Sequence, residues 1–526
     1  MLKKISALFT CLALVFTAAS CGGSGSGNPS GGGGGAAKGT LTVRLFDGGY
    51  GHQFLDDIAR AYESVNKGTK IVVKTTVDPT SDMSKMESGL YIADLFISTM
   101  TLGAQGRKGT FMEIDDVFAS TPAGESKTVA EKLGDSAEMF KSFNGHYYGL
   151  PVNDGMTGLV YNKTTLDEAF GEGNWKEPRT SDELYNLCRR LIALDKGYYP
   201  FVYTTDTNAE YQWWMTYAYL AQLLGEEAYY KAWFGQYFDE EKNEYVFDAT
   251  GETVFDLEQK KMAIEDTQRF NGAESGMASQ WCDGMDFAEA QSFFLGYGYG
   301  SKDKGKAVFM TNGDWVYNEM EYLISDDNPQ DIRMMNFPVT SYILEYTESI
   351  DNDEELSALI SAIDAGSAAL TGEGYSVTQE DYDRVKEARS MVYTLKVQME
   401  AGIPTSSKNA ALAKSFLTFF ASDTAGTLYS KALHGDITPF TKNVTGVTPN
   451  KFIQSKLDTL AGINGLTYIY SATDIEKFNV GFYGGLYYYS RLLHEGTALD
   501  EYVGDAYKRT FLNRYNAAKV TAGIMG

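Results

Sequence analysis

Histidine and cysteine are both scarce in this chain, whose 526 residues carry four of each. The histidines are His52, His146, His434 and His494, and no HExxH, CxxC or paired-histidine spacing accompanies them. Zinc sites need closely spaced histidine and cysteine ligands. We therefore expect no metal site and no cofactor.

Two of the four cysteines lie in the body of the chain, Cys188 and Cys282. Cys188 shares a helical stripe with Leu184, Leu187 and Leu191, which predicts a core position. Cys282 follows Trp281 in a polar stretch. A disulfide between them and two buried thiols are both open alternatives.

Basic residues are outnumbered, 45 to 70, and the formal net charge is −25. Nucleic-acid binding needs concentrated lysine and arginine, so the composition argues against it. No apolar run after residue 19 is long enough to span a bilayer, which predicts a soluble body. Residues 40–526 are too many for one ordinary core, so two or more lobes are expected.

The first residues have the features of a secretory signal over 1–20. Two lysines precede an apolar run from Ile5 to Ala19, and small residues follow. The sequence up to Cys21 resembles a bacterial lipobox, which implies that Cys21 is acylated and anchors the protein; an ordinary secretory signal is the alternative. Residues 21–39 are rich in glycine and serine and predict a flexible tether of about 20–25 Å.

Strands and helices alternate after the tether. Leu41–Phe46 alternates apolar and polar residues, a helical pattern runs to Val65, and short strands are predicted at Ile71–Val77 and Asp94–Ser98. This order is typical of an α/β fold with mixed, mostly parallel sheets flanked by helices. Ligands bind such sheets at the carboxyl ends of the strands. Asp47, Tyr50 and Thr99 are therefore candidate ligand-binding residues.

Later segments carry more specific motifs. They are Asn144–Val152 with Gly158–Lys163, a helix start with Thr180 or Ser181 as its cap, Gly305–Trp315, and Ser407–Phe420. In this order the segments resemble the extracellular solute-binding proteins of bacterial ABC importers, in the large family that binds sugars and oligosaccharides. Two features depart from the family pattern: Ser181 stands where tryptophan is usual, and the stretch Tyr342–Val397 is longer and partly helical.

The resemblance implies a two-lobed, periplasmic-binding-protein-like fold of type II, with the ligand cleft at the hinge. By analogy, lobe 1 combines residues 40–152 with 339–432, and lobe 2 combines 153–338 with 433–526. The crossings between lobes are expected near Pro151–Asp154, Pro338–Val339 and Leu433–Pro439. Hinge closure around a ligand is characteristic of this class.

Sugars offer flat C–H faces and polar edges, so their sites combine rigid aromatic rings with acid and amide groups. The chain is rich in such rings, with 36 tyrosines and six tryptophans. In the resemblance, Trp315 matches the family's sugar-stacking aromatic residue, and Asn153 and Asp154 match a hydroxyl-binding position. The candidate ligand-binding residues are Asp47, Tyr50, Thr99, Asn153, Asp154, Tyr211, Trp213, Trp214, Trp281, Asp314 and Trp315.

The resemblance thus predicts a monomeric binding protein rather than an enzyme. It would be lipid-anchored on the extracellular face of the membrane, or periplasmic in a Gram-negative cell, and would pass a carbohydrate ligand to an ABC permease. Three alternatives remain open. They are a binding lipoprotein for a peptide or polyamine, a surface glycoside hydrolase with paired carboxylates, and an adhesin without a small ligand.

Overall fold

The computed structural model describes residues 38–142, 144–153, 155–203, 210–271, 275–395, 399–441, 444–462, 467–470 and 505–521. The strands are β1 (Gly39–Phe46), β2 (Thr69–Thr76), β3 (Leu95–Ser98), β4 (Leu150–Pro151), β5 (Thr157–Asn162), β6 (Tyr198–Phe201), β7 (Gln236–Asp239), β8 (Glu244–Phe247), β9 (Lys306–Gly313), β10 (Ile332–Met335), β11 (Thr371–Gly372), β12 (Tyr375–Ser376), β13 (Met391–Leu395), β14 (Glu400–Gly402) and β15 (Thr467–Tyr470).

The helices are α1 (Gln53–Val65), α2 (Pro79–Glu87), α3 (Gly103–Arg107), α4 (Asp115–Phe118), α5 (Val129–Leu133), α6 (Lys163–Phe170), α7 (Ser181–Ala193), α8 (Glu210–Leu224), α9 (Glu226–Trp233), α10 (Glu252–Phe255), α11 (Glu258–Asn271), α12 (Phe287–Phe294), α13 (Val316–Met320), α14 (Asp353–Asp364), α15 (Gln379–Ser390), α16 (Ala410–Phe420), α17 (Asp423–Ala432), α18 (Lys451–Gly462) and α19 (Asp505–Thr521). Short 3-10 helices cover Gly134–Phe140, Cys282–Gly284, Glu321–Leu323 and Ser341–Tyr346.

The first sheet has the strand order β2-β1-β3-β14-β4. β1 is parallel to β2 and β3, and β14 runs antiparallel to β3 and β4. Leu41, Val43 and Leu45 are fully buried and face one core, so the alternation predicted for β1 is confirmed. Because β1 and β3 are parallel, the loops after both strands leave the same edge of the sheet.

The second sheet has the order β10-β5-β9-β6 and lies between two cores. Leu159 and Tyr161 of β5 pack into one core, whereas Val160 packs into the other. Both faces of the sheet are covered, so every residue of β5 is buried, including the polar Thr157 and Asn162 at its ends. β9 pairs with β5, and its carboxyl end leads to Asp314 and Trp315.

The segment 339–395 packs on elements of the second sheet's lobe. Val339 exchanges backbone hydrogen bonds with Arg179 and Ser181, and the Thr340 hydroxyl donates to Asp266 at 2.6 Å. Arg384 donates to the carbonyl oxygen of Leu223 at 2.6 Å. These polar contacts hold the segment against α7, α8 and α11. The sequence analysis groups these residues with the first sheet, and the lobe boundaries stay a prediction.

Among the described elements, the chain passes between the two lobes in three places. The first is between β4 and β5. The second is between β13, which pairs with β15 outside the two large sheets, and β14 of the first sheet. The third lies between α17 and α18. On α17, the ring centroid of Tyr429 lies 5.3 Å from that of Phe54 in the first lobe. On α18, the Ser455 hydroxyl oxygen accepts from the backbone nitrogen of Met334 in β10. The helical character predicted within Tyr342–Val397 is confirmed by α14 and α15.

Two further local predictions have an outcome. Thr180 rather than Ser181 caps α7, since its hydroxyl oxygen accepts from the backbone nitrogen of Glu183 at 3.1 Å. Cys188 and Cys282 are both buried and are not joined in a disulfide, so the two-thiol alternative is the one in the structure.

Within the described parts of the chain, none of the helices combines the length and the apolar character that crossing a membrane requires.

Candidate functional site

The loop after β1 brings one aromatic residue towards the second lobe. The glycine-rich turn at 48–51 follows the strand, and Gly51 has a φ of 63°, which suits glycine. Tyr50 is 7% exposed, and its hydroxyl donates to Asp314 Oδ1 at 2.5 Å. Asp47 is partly exposed, and its carboxylate lies 3.4 Å from Nδ1 of His52. This loop therefore connects the first lobe to the end of β9.

Asp314 is held from several sides at the carboxyl end of β9. Its backbone nitrogen donates to the carbonyl oxygen of Met156 at 2.9 Å. One carboxylate oxygen accepts from Tyr50, and the other accepts from the Lys456 ammonium group. Asp314 is 1% exposed, so both of its oxygens are engaged inside the protein.

Lys456 joins Asp314 to a second carboxylate, Asp436. Its ammonium nitrogen lies 2.8 Å from Asp436 Oδ1. Burial, together with the negative charge of Asp314, raises the pKa of Asp436 to about 6 against the opposing effect of Lys456. Burial by itself lowers the pKa of Lys456, but the two carboxylates raise it more, so the lysine stays protonated. Asp314, Asp436 and Lys456 are the charge network.

Three aromatic rings lie around Trp315, and a fourth lies beside one of those three. The ring centroid of Trp315 lies 6.3 Å from that of Tyr50, 6.0 Å from Tyr211 and 6.0 Å from Trp214. Tyr211 and Trp214 are three residues apart on α8, so they share one helix face. Their ring centroids lie 4.3 Å apart, with 30° between the ring planes. Phe287, the first residue of α12, lies 5.6 Å from Tyr211. These five rings are the aromatic group, and both lobes contribute to it.

Two glycines make room for the Trp315 indole. A Cβ atom at Gly313 would lie 1.9 Å from Cζ3 of the six-membered ring. A Cβ atom at Gly49 would lie 2.3 Å from Cδ1 on the five-membered side. Real contacts of this kind are much longer, so any larger residue at either position would have to displace the ring. Trp315 itself remains partly exposed.

Asn153 is fully buried at the first passage between the sheets. Its side-chain oxygen accepts from the backbone nitrogen of Met399 at 2.9 Å. Its side-chain nitrogen has no hydrogen-bond partner in the described structure. The neighbouring Asp154 lies outside the described residues, and so does the side chain of Trp213 on α8.

Two predicted site residues are not joined to the aromatic group by the contacts described for them. Thr99 is exposed directly after β3. Trp281 is 37% exposed, and the ammonium nitrogen of Lys302 lies 5.4 Å from its ring. Their place in a ligand site stays a prediction.

One group of described side chains has donor atoms close enough to hold a metal ion. It consists of Glu113, Asp115 and His146, whose donor atoms lie within 4.8 Å of one another on the surface of the first lobe. Nδ1 of His146 lies 2.7 Å from Asp115, and this hydrogen bond raises the histidine pKa. Sequence reasoning did not single out this group.

Sequence reasoning also missed Phe287, Asp436 and Lys456. Phe287 opens α12 after the capping residue Asp286, so the sequence signals a helix start but not the contact with Tyr211. Asp436 and Lys456 lie in segments without a chemical motif, more than 100 residues after Asp314. Only the folded chain brings them together.

The sequence profile of the bacterial extracellular solute-binding proteins matches residues 48–427, which is well over half of the chain. The chain belongs to this family. The matched region of this solute-binding protein contains β9 and the whole aromatic group.

Individual relatives agree with this assignment. The diacetylchitobiose-binding protein NgcE of Streptomyces coelicolor is 28% identical over 179 residues, which cover 34% of this chain and 37% of the relative. The alignment thus spans little more than a third of the curated relative's length.

Solved structures resemble this solute-binding protein over most of its length. A chitin oligosaccharide binding protein superposes with a TM-score of 0.58 at 15% identity, covering 91% of this chain and 99% of its own. The GacH receptor of Streptomyces glaucescens, solved unliganded and with acarbose, superposes with a TM-score of 0.56 at 14% identity. The superposition covers 91% of this chain and 100% of the receptor chain. At such identities the likeness concerns the fold, and the predicted two-lobed α/β fold is confirmed.

Proposed function

We propose that this solute-binding protein captures a sugar or oligosaccharide between its lobes and delivers it to the permease of an ABC importer. The observation that carries the proposal is the aromatic group, in which Tyr50 of one lobe meets Trp315 of the other, and Tyr211 and Trp214 lie beside Trp315. Tyrosine and tryptophan rings match the flat C–H faces of sugars at a low entropic cost. A ligand between them touches both lobes at once.

Binding would then act by shifting a population. A ligand that contacts both lobes favours the closed form by the difference between its affinities for the closed and open forms. The relatives named for diacetylchitobiose and chitin oligosaccharide, and the receptor solved with acarbose, support a carbohydrate as the ligand class. The chemistry of capture needs neither a metal nor a cofactor.

The ligand contacts proposed from the sequence fall into two sets. Tyr50, Tyr211, Trp214 and Trp315 would form the aromatic wall, and Asp314 would act from behind it, because both of its oxygens are engaged by the protein. Polar contacts to hydroxyl groups are proposed for the remaining candidates, which are Asp47, Thr99, Asn153 and Asp154, with Trp213 and Trp281 as further aromatic contacts.

The charge network favours binding over glycoside hydrolysis. A hydrolase needs two carboxyl groups that flank the scissile bond and exchange protons with the substrate. Asp314 and Asp436 instead share the ammonium group of Lys456 and are almost fully buried. The family consists of binding proteins, and this arrangement agrees with that role.

Anchoring and lobe boundaries complete the proposal. Residues 1–20 would be removed as a signal, and Cys21 would carry the lipid that tethers a monomeric body to the outer face of the membrane. Labelling cells with a fatty-acid analogue tests this, since Cys21→Ser should abolish incorporation. Among the described residues, we assign 38–142, 144–152 and 399–441 to lobe 1, and 155–203, 210–271, 275–395, 444–462, 467–470 and 505–521 to lobe 2.

A thermal-shift screen of the purified full chain tests the function. The panel contains diacetylchitobiose, longer chitin oligosaccharides, raffinose and acarbose, with a tripeptide and spermidine as other ligand classes. A ligand at 100 times its dissociation constant adds about 2.7 kcal/mol of stability. Stabilisation by one glycan class, lost in Trp315→Ala but kept in Trp175→Ala, supports the proposal. Stabilisation only by spermidine or the peptide contradicts it.

A further inference from the structure

The charge network is buried to an unusual degree. The side chains of Lys456 and Asp314 are fully buried, and that of Asp436 is 3% exposed. Removing three charges from water is costly, and apolar side chains of similar volume often give an equally stable or more stable fold. Stability alone therefore does not explain why the protein contains this charge network.

The network is assembled from distant parts of the chain. Asp314 directly follows β9, Asp436 follows α17 at the third passage between the lobes, and Lys456 lies on α18. Tyr50, from the loop after β1, donates its hydroxyl to the Asp314 oxygen that Lys456 does not contact. The network thus connects α18 and the segment after α17 to the two loops that carry Tyr50 and Trp315.

Asp314 is the point at which the network meets the aromatic wall. It directly precedes Trp315, and it holds the hydroxyl of Tyr50, whose ring lies 6.3 Å from the indole. Lys456 contacts the carboxylate on the oxygen that Tyr50 does not use, and its ammonium nitrogen lies 2.8 Å from Asp436 Oδ1. A shift of the Asp314 carboxylate would therefore disturb the hydroxyl of Tyr50 and the neighbouring Trp315.

We propose that Lys456 and Asp436 are positioning residues of the ligand site, which act through Asp314 to hold Tyr50 and Trp315 in the geometry of the aromatic wall. The inference rests on the proposed function for its ligand, but the geometry it predicts exists without ligand. It also predicts that changes on α18, far along the chain from the wall, alter the affinity for the sugar.

The experiment uses the full chain labelled with 5-fluorotryptophan and ¹⁹F NMR without ligand. The Trp315 resonance is assigned with Trp315→Phe. The double variant Lys456→Met/Asp436→Asn removes one positive and one negative charge, so the buried net charge is unchanged while Asp314 loses its support. We expect the Trp315 resonance to move by more than its linewidth. An unchanged resonance overturns the proposal.

Lys260→Met is the matched control. Lys260 is a second buried lysine, 3% exposed, whose ammonium group donates to the carbonyl oxygen of Phe255 in α10. The same substitution there should leave the Trp315 resonance in place. If the double variant does not fold, Asp436→Asn alone keeps the Lys456–Asp314 pair and should still move the resonance. A resonance unmoved in Asp436→Asn then overturns the proposal.

Titration with diacetylchitobiose separates this inference from the proposed function. If the wild type binds, the double variant should bind at least tenfold more weakly, while Lys260→Met binds like the wild type; equal affinities of all three overturn the positioning role. If no sugar binds the wild type, the proposed function fails, and the ligand-free ¹⁹F spectra still decide whether the network positions Trp315.

Discussion

Replacing Gly313 by alanine should weaken ligand binding by displacing the Trp315 indole. The added Cβ atom would lie 1.9 Å from Cζ3 and 2.2 Å from Cη2 of the ring. Carbon atoms pack at about 3.5–4.0 Å, so the ring or the end of β9 must move by roughly 1.5–2 Å. Gly313 is not among the glycines with positive φ, so the backbone tolerates alanine and the effect is steric.

The size of the effect follows from overpacking. Inserting a methyl group into a packed site costs about 1–3 kcal/mol. If the displaced ring no longer contacts the sugar, the same range in binding free energy raises the dissociation constant by about 5- to 150-fold. Isothermal titration calorimetry measures the dissociation constant, and thermal unfolding measures the cost to the fold.

Gly284→Ala is the control for this prediction. Gly284 also lacks a positive φ, and the nearest atom to its added Cβ would be the Tyr299 hydroxyl oxygen at 3.9 Å. This variant should bind like the wild type. Gly313→Ala could instead bind the ligand with wild-type affinity and show an unchanged tryptophan fluorescence spectrum. That result would contradict both the position of the Trp315 ring between its glycine neighbours and its contact with the ligand.

Three further predictions concern the fold. Leu184 lies on the buried face of α7, so Leu184→Ala should lower the free energy of unfolding in urea by about 2–5 kcal/mol. Tyr322 is 72% exposed, so Tyr322→Ala should change that free energy little. Similar losses in the two variants would contradict the assigned core. Burial raises the pKa of Glu319 to about 6, so the stabilisation by its protonated form is complete below about pH 4.5 and is lost as the pH rises through 6. Glu319→Gln should therefore be roughly 2 kcal/mol more stable than the wild type at pH 8 and equal to it at pH 4, and a gain independent of pH would argue against this. Burial raises the pKa of the Cys188 thiol, and Cys282 is buried as well. Neither of these two thiols should therefore react with Ellman's reagent until the protein is unfolded. Rapid reaction of either thiol in the native protein would show that it is accessible.

Local patterns in the sequence predicted the local structure well. The alternation in Leu41–Phe46 and the helical pattern up to Val65 became β1 and α1 almost residue for residue. Both depend on neighbours a few positions apart, so the sequence records them directly. The acidic run Asp351–Glu355 shows where composition alone is ambiguous, because it also suits a solvated loop. In the structure Asn352 caps α14, and the acidic residues from Asp353 form the first helical turn.

The lobe boundaries and the interior of the site depend on contacts that no short pattern records. A crossing near Pro338–Val339 is expected by analogy with the family, whereas the backbone of Val339 pairs with Arg179 and Ser181 at the start of α7. Tyr50 and Asp314 form their hydrogen bond across 264 positions. Asp436 and Lys456 carry no motif, so their role is visible only in the folded chain.

Whether the protein binds a carbohydrate at Trp315 is measured by calorimetric titration of the full chain with diacetylchitobiose and longer chitin oligosaccharides. We expect one site with a dissociation constant near the micromolar range, and a negative heat-capacity change from aromatic burial. Binding should be lost in Trp315→Ala and unaffected in Trp175→Ala. Salt should alter this affinity little, since the ligand is uncharged. Heat from spermidine or a peptide alone, strongly reduced by salt and indifferent to Trp315, would contradict the carbohydrate site proposed here.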